Sequence, residues 1–273
     1  MRPRTPEGPR FLRSDGTPDK ATRIHKEAKW LDFAHPPEAL HSPNSTLRAA
    51  LLEFLATHRL NIIVVDGDKY VGVATLPRLA ATVALWRERE APIYKILLEG
   101  IKRIEEKVAP VADGMGDKEV AEVLSSLPPS VDEVPVVKEE KVVGVLRVRE
   151  VLLRGSVDVP VGSLAEPLPS VGSVGEALME MENKDLPVVM VGDRVLDARD
   201  VARRIWEERT EEIGRVRFED LLTEPYEVFK ENVTIKEVLD SLDPLKVDYV
   251  LVERGEGYGV VPLPKLAAKV IHP

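Results

Sequence analysis

The apolar positions of this chain switch between two periods, and they do so four times. Val120, Val123, Leu124 and Leu127 recur at three- and four-residue spacing, which puts them on one helical face. Val134–Val137 and Val142–Leu146 read as strands, and the charged KEEK between them predicts a turn. A second helix is expected from about Val148. The same order appears around Leu47, Ala50, Leu51, Phe54 and Leu55, then NIIVVDGDKYVGVAT, where Asp66-Gly67 between apolar runs is a hairpin signal. It appears again at Val174, Ala177, Leu178 and Met181 before DLPVVMVGDRVLDARDVARRI. The last copy has Ile235, Val238, Leu239 and Leu242 before DYVLVERGEGYGVVPLPKLAAKV. Ser45, Ser173 and Thr234 stand where helix N-caps belong. In 91–107, Ile96, Leu97, Ile101 and Ile104 share a helical face and predict a helix packed between units. Gly72 and Gly144 occupy the same place in two copies, 72 residues apart. Together these features predict an α/β (α+β) repeat protein.

Composition narrows the setting. A chain of 273 residues, 44% hydrophobic and 31% charged, can bury a substantial core in one or two domains. No run reaches the roughly 18 apolar residues of a membrane span, and no apolar h-region opens the sequence, so a cytoplasmic protein is expected. Cysteine is absent, which excludes disulfides and thiolate chemistry. Glutamine is also absent and asparagine occurs four times, a composition expected of a hyperthermophile. The net charge of −9 is unevenly spread: residues 1–30 carry +4 and the rest −13.

The stretches ENKDLPVVMVGD, VDEVPVVKEEKVVGVLRVREVLL and NIIVVDGDKYVGVATLPRLAA resemble the core of the cystathionine-β-synthase (CBS) domain, in an archaeal type with four repeats. The resemblance implies two paired (Bateman) modules. Its units are 30–90, 91–155, 156–210 and 211–273, after a basic arm at 1–29. It also implies that a homodimer could form through the modules. Where such domains bind adenosine ligands (AMP, ATP or S-adenosylmethionine), the pattern resembles Gly-apolar-apolar-Thr/Ser-x-x-Asp. The hydroxyl then meets phosphate or ribose, and the acid accepts from the ribose hydroxyls.

This chain keeps that frame and changes its letters. Copy one has Gly72 and Thr75 but Arg78 for the acid; copy two has Gly144 and Glu150 but Arg147 for the hydroxyl. Copy three has Arg194, Asp197 and Asp200, and copy four Gly259, Pro262 and Lys265. The candidate nucleotide ligands are therefore Thr75, Arg147, Glu150, Asp197 and Asp200. Arg149, Arg154, Arg199, Arg203 and Arg204 lie in the same segments and suit phosphate, or else pair with acids on a charged surface.

No P-loop, GxGxxG or HExxH occurs, and the five histidines show no metal spacing, so a non-catalytic protein without a metal is expected. The arm holds four prolines and two glycines. Its candidate RNA contacts are Arg2, Arg4, Arg10, Phe11, Arg13, Lys20, Arg23, Lys26, Lys29 and Trp30: cations for phosphates, rings for bases. A four-repeat CBS protein with such an arm is similar to archaeal ribosome hibernation factors, the dual ribosomal subunit inhibitors. That likeness implies binding to the ribosome and rRNA and inhibition of translation. The alternative is a sensor of an adenosine nucleotide or S-adenosylmethionine that regulates another protein.

Overall fold

The computed structural model describes residues 30–273 apart from 39, 88–90, 156, 211–216 and 256. The cationic arm contacts expected at positions 2–29 lie outside the described residues.

Each unit is a helix, a hairpin and a second helix. The first has α1 (Leu47–Thr57), β1 (Asn61–Asp66), β2 (Lys69–Thr75) and α2 (Leu76–Arg87). A linking segment follows with α3 (Ile93–Ile96) and β3 (Glu105–Glu106). The second unit has β4 (Val111–Ala112), α4 (Asp117–Ser126), β5 (Glu133–Lys138), β6 (Lys141–Arg147) and α5 (Val148–Leu152). The third has β7 (Glu166–Pro167), β8 (Ser170–Val171), α6 (Val174–Lys184), β9 (Val188–Val191), β10 (Arg194–Asp197) and α7 (Ala198–Glu207). The fourth has β11 (Val228–Lys230), α8 (Ile235–Ser241), β12 (Val250–Arg254), β13 (Gly257–Val261) and α9 (Leu263–Ile271).

Local chemistry sets the boundaries. Ser173 and Thr234 cap α6 and α8 by accepting from the third helical amide, and Glu237 completes a capping box on Thr234. α1 begins one residue later than Ser45 suggested: Thr46 accepts from Ala49 N, while Ser45 Oγ accepts from Ser42 N. The hairpins of units one and two carry the same irregularity, a register shift after Val64 in β1 and after Val136 in β5. The residues opposite are Gly72 and Gly144, so the repeated glycine marks a shared bulge. At Gly72 a Cβ would lie 2.6 Å from the Glu106 carbonyl oxygen, where β3 crosses β2.

The segment 91–107 breaks where one helix was expected. It folds as α3, a 3₁₀ turn at Ile101–Arg103 and β3. Its backbone instead ties down the start of α1: Leu47 N donates to Glu99 O (2.8 Å), Arg48 N to Leu97 O (2.9 Å), and Ile101 N to Ser45 O (2.8 Å). A continuous helix would consume those carbonyls internally. Ile96, Leu97, Ile101 and Ile104 are buried all the same.

The sheets run β1-β2-β6-β5-β4 with β3 on β2, then β10-β9-β8, then β11-β12-β13-β7. The helices cross this division. One apolar core joins units one and three, where α2 packs on α6 and α7; a second joins units two and four, where α4 and α5 pack on α9. All four units meet in the middle of the molecule.

Candidate ligand site

A charged cluster sits at that meeting point. Arg149, on α5, donates from Nε to Asp132 Oδ2 (2.9 Å) and from Nη2 to Asp248 Oδ1 (2.7 Å). Arg199, on α7, forks onto Asp248 with Nε–Oδ2 at 2.7 Å and Nη2–Oδ1 at 2.9 Å. Both guanidiniums also donate to the His58 carbonyl, at 3.3 and 3.1 Å. His58 can offer it because it ends α1 in the left-handed region (φ 56°). Asp132 Oδ1 accepts from Leu60 N (2.9 Å). Arg149 and Arg199 are each 8% exposed, so these charges depend on one another. Each guanidinium commits four of its five N–H donors within the protein, so these arginines serve the cluster first. Arg154 stacks over Phe33 and Arg204 pairs with Glu208 at 3.1 Å.

The four return strands present one comparable geometry. Two residues before each motif position, the strand pairs with an edge segment: Val73 with Glu106, Val145 with His35, Val195 with Thr223, and Val260 with Glu166. The residue at the motif's acid position then faces that edge residue. In unit one Arg78 Nη2 lies 2.7 Å from Glu106 Oε2, and in unit two His35 Nε2 lies 2.7 Å from Glu150 Oε2. In unit four Lys265 pairs with Glu166. Unit three breaks the pattern, because Thr223 carries no charge to meet Asp200. Among the described residues Asp200 pairs with Arg203 alone, one turn along its own helix, at 3.0 Å.

A cavity of about 480 Å³ opens at that unmatched position, within the size range of small-molecule pockets. Asp197, Asp200 and Arg203 line it from unit three, and Tyr226, Asp248 and Tyr249 from unit four. Asp197 caps α7 through Arg199 N (2.7 Å) and accepts from the Tyr249 hydroxyl (2.9 Å). Burial, and then the neighbouring Asp248, push its carboxyl up to about 6. A smaller cavity of about 260 Å³ lies by Arg147, Arg149 and Glu150.

The candidate residues thus fall in different settings. Thr75 is buried and its hydroxyl donates to Asp185, so it faces no cavity. Burial pushes Asp185 up to about 7 against that hydrogen bond and Arg78. Arg147 is drawn to Glu133 (3.3 Å), Glu150 (3.2 Å) and Glu38 (3.6 Å). Glu150 is held below the usual carboxylate range by the His35 and Arg147 hydrogen bonds, which outweigh the upward push of burial. Asp197 and Asp200 come together in the larger cavity. Trp30 is no stacking platform: it is 8% exposed, its Nε1 donates to Asp117 Oδ1 (3.2 Å), and its ring packs on Phe33.

Sequence reasoning missed Asp132, Asp248, Tyr226, Tyr249 and the pairing of His35. One signal was present. Val131-Asp132-Glu133-Val134 and Val247-Asp248-Tyr249-Val250 place an aspartate at the same step of two repeats.

No protein-family model and no curated protein matches the chain. Solved structures do. One is a protein of Methanocaldococcus jannaschii proposed as an archaeal homologue of γ-AMPK, 15% identical, covering 89% of this chain and 99% of that one with a TM-score of 0.69. Another is an uncharacterised conserved protein from Pyrococcus horikoshii, 17% identical over 89% and 100% of the two chains, TM-score 0.52. A CBS-pair protein from Arabidopsis thaliana spans less, at 21% identity over 44% of this chain and 87% of that one, TM-score 0.37. With its interleaved helices and hairpins matched over nearly their whole length, the chain has the fold of the CBS-domain proteins.

Proposed function

We propose that this protein is a non-catalytic sensor whose cavity between units three and four binds an adenosine ligand through its ribose. One observation carries the reading. Of four equivalent motif positions, three are clasped by a side chain of the edge segment, and at the fourth Asp200 faces a cavity of about 480 Å³. A carboxylate is an acceptor-only group, suited to the paired hydroxyls of a ribose. Arg203 stands beside it on an exposed pair of small worth, free to turn toward a phosphate. Tyr226 supplies an exposed ring at the rim for a base. AMP added at 100 times its Kd should stabilise the native state by about 2.7 kcal/mol. Thermal shift measures this: the wild type should move and Asp200→Asn should move clearly less. Equal shifts in both would refute the assignment.

A second reading concerns the arm. Its net +4 beside a body of −13 supports contact with rRNA and inhibition of translation, with Arg and Lys neutralising phosphates. Co-sedimentation with ribosomes at low salt should be lost when residues 2–29 are deleted; retention would exclude this role for the arm.

A further inference from the structure

The edge segment of unit two differs from the others in how it is held. Glu106 belongs to the link between units one and two, Glu166 opens unit three in β7, and Thr223 precedes β11 within the fourth, so each is anchored on both sides. His35 belongs to Trp30–Glu38, which lies N-terminal to α1, outside every hairpin unit. Trp30 is seated in the core with Phe33 and Ala34 packed beside it. His35 and Val145 exchange two backbone hydrogen bonds of 2.9 Å, Trp30 donates to Asp117, Phe33 lies under Arg154, and Glu38 reaches Arg147 and Arg59 at 3.6 and 3.9 Å. Trp30 anchors one end in the core, but His35 can leave the sheet edge without breaking a repeat.

Its key contact falls on a cavity wall. Glu150 lines the 260 Å³ space beside Thr57, Arg59 and Arg147 and spends one oxygen on His35 Nε2. That volume is below the roughly 300 Å³ at which ligand pockets begin. The same carboxylate position in unit three is unclasped and has the larger cavity.

We infer that the second cavity is a masked ligand site: His35 holds Glu150 in place of a ribose diol, and a ligand that takes Glu150 releases His35 from the sheet edge at Val145. The inference rests on the reading that a carboxylate at this helix position receives ribose. It makes the N-terminal segment a competitor for the ligand and joins the second site to the root of the basic arm.

Calorimetric titration with AMP tests it, with hydrogen exchange of peptide 30–38 read alongside. The wild type should show one tight equivalent and a second at least about tenfold weaker, the cost of displacing one charged hydrogen bond. His35→Ala should bring the second equivalent to tight binding. His35→Gln keeps a donor for Glu150 and should behave as the wild type. Filling the second site should speed exchange in peptide 30–38. If His35→Ala still binds one tight equivalent that Asp200→Asn abolishes, the masked site is overturned and the third-unit site stands. If His35→Ala binds one equivalent that Asp200→Asn leaves intact, the third-unit site fails and the masked one stands. No binding of AMP by His35→Ala, or unchanged exchange at saturation of both sites, overturns the inference.

Discussion

Replacing Asp248 by alanine should destabilise the protein more than loss of any surface charge. The carboxylate receives three guanidinium hydrogen bonds of 2.7–2.9 Å from two arginines in different units. Its removal leaves Arg149 with Asp132, but Arg199, among the described residues, with only the carbonyls of His58 and Phe54. A buried charge that loses its partner typically costs about 3–5 kcal/mol. For a folded body of this size each kcal/mol moves the melting temperature by about 2–4 °C, so a fall of about 6–20 °C is expected. Arg199→Met in the same background should restore part of it, because the orphaned cation is then gone. Differential scanning calorimetry of the two single variants and the double variant closes the cycle. A loss under about 1 kcal/mol for Asp248→Ala, or strictly additive losses, would refute a mutually dependent cluster.

Three further outcomes follow from particular residues. Asp185, raised to about 7 by burial, carries a penalty for ionisation that is absent below its unfolded value near 4, grows as pH rises, and levels off above about 7. Asp185→Asn should therefore gain on the wild type between pH 4 and pH 8 by about 2–4 kcal/mol in denaturant titrations; a pH-independent difference would contradict this. Gly72→Ala should cost about 1–3 kcal/mol through its 2.6 Å approach to the Glu106 oxygen, whereas Gly257→Ala, with nothing within 4 Å, should be near neutral by the same measurement. Trp30→Ala should destabilise by about 3–5 kcal/mol, as a core residue does; a silent substitution would return Trp30 to the arm.

Much of the fold was legible because burial imposes periods. Ala177, Leu178 and Met181 line a helix face, and Val188–Met190 a buried strand, in the order the pattern foretold. The segment 91–107 misled because its apolar residues are buried without being helical: the backbone there serves α1, and periodicity records burial before conformation. Trp30 misled through its neighbours, since a tryptophan after a basic run reads as part of that run, and its partner Asp117 is 87 residues away. The acids Glu150 and Asp200 were legible as candidates, but their different fates were not. These depend on whether His35 or Thr223 stands on the adjoining edge, a pairing that no local pattern encodes.

The central claim is that Asp200 receives a ribose, and isothermal titration with AMP and 2′-deoxy-AMP tests it most directly. In the wild type, loss of the 2′-hydroxyl should weaken binding at the third-unit site by about tenfold, the value of one hydrogen bond to a charged acceptor. In Asp200→Asn/Glu150→Gln, which removes both proposed ribose acceptors, both ligands should bind weakly and alike. Equal affinity of the wild type for the two ligands, or full discrimination retained in Asp200→Asn/Glu150→Gln, would contradict the account.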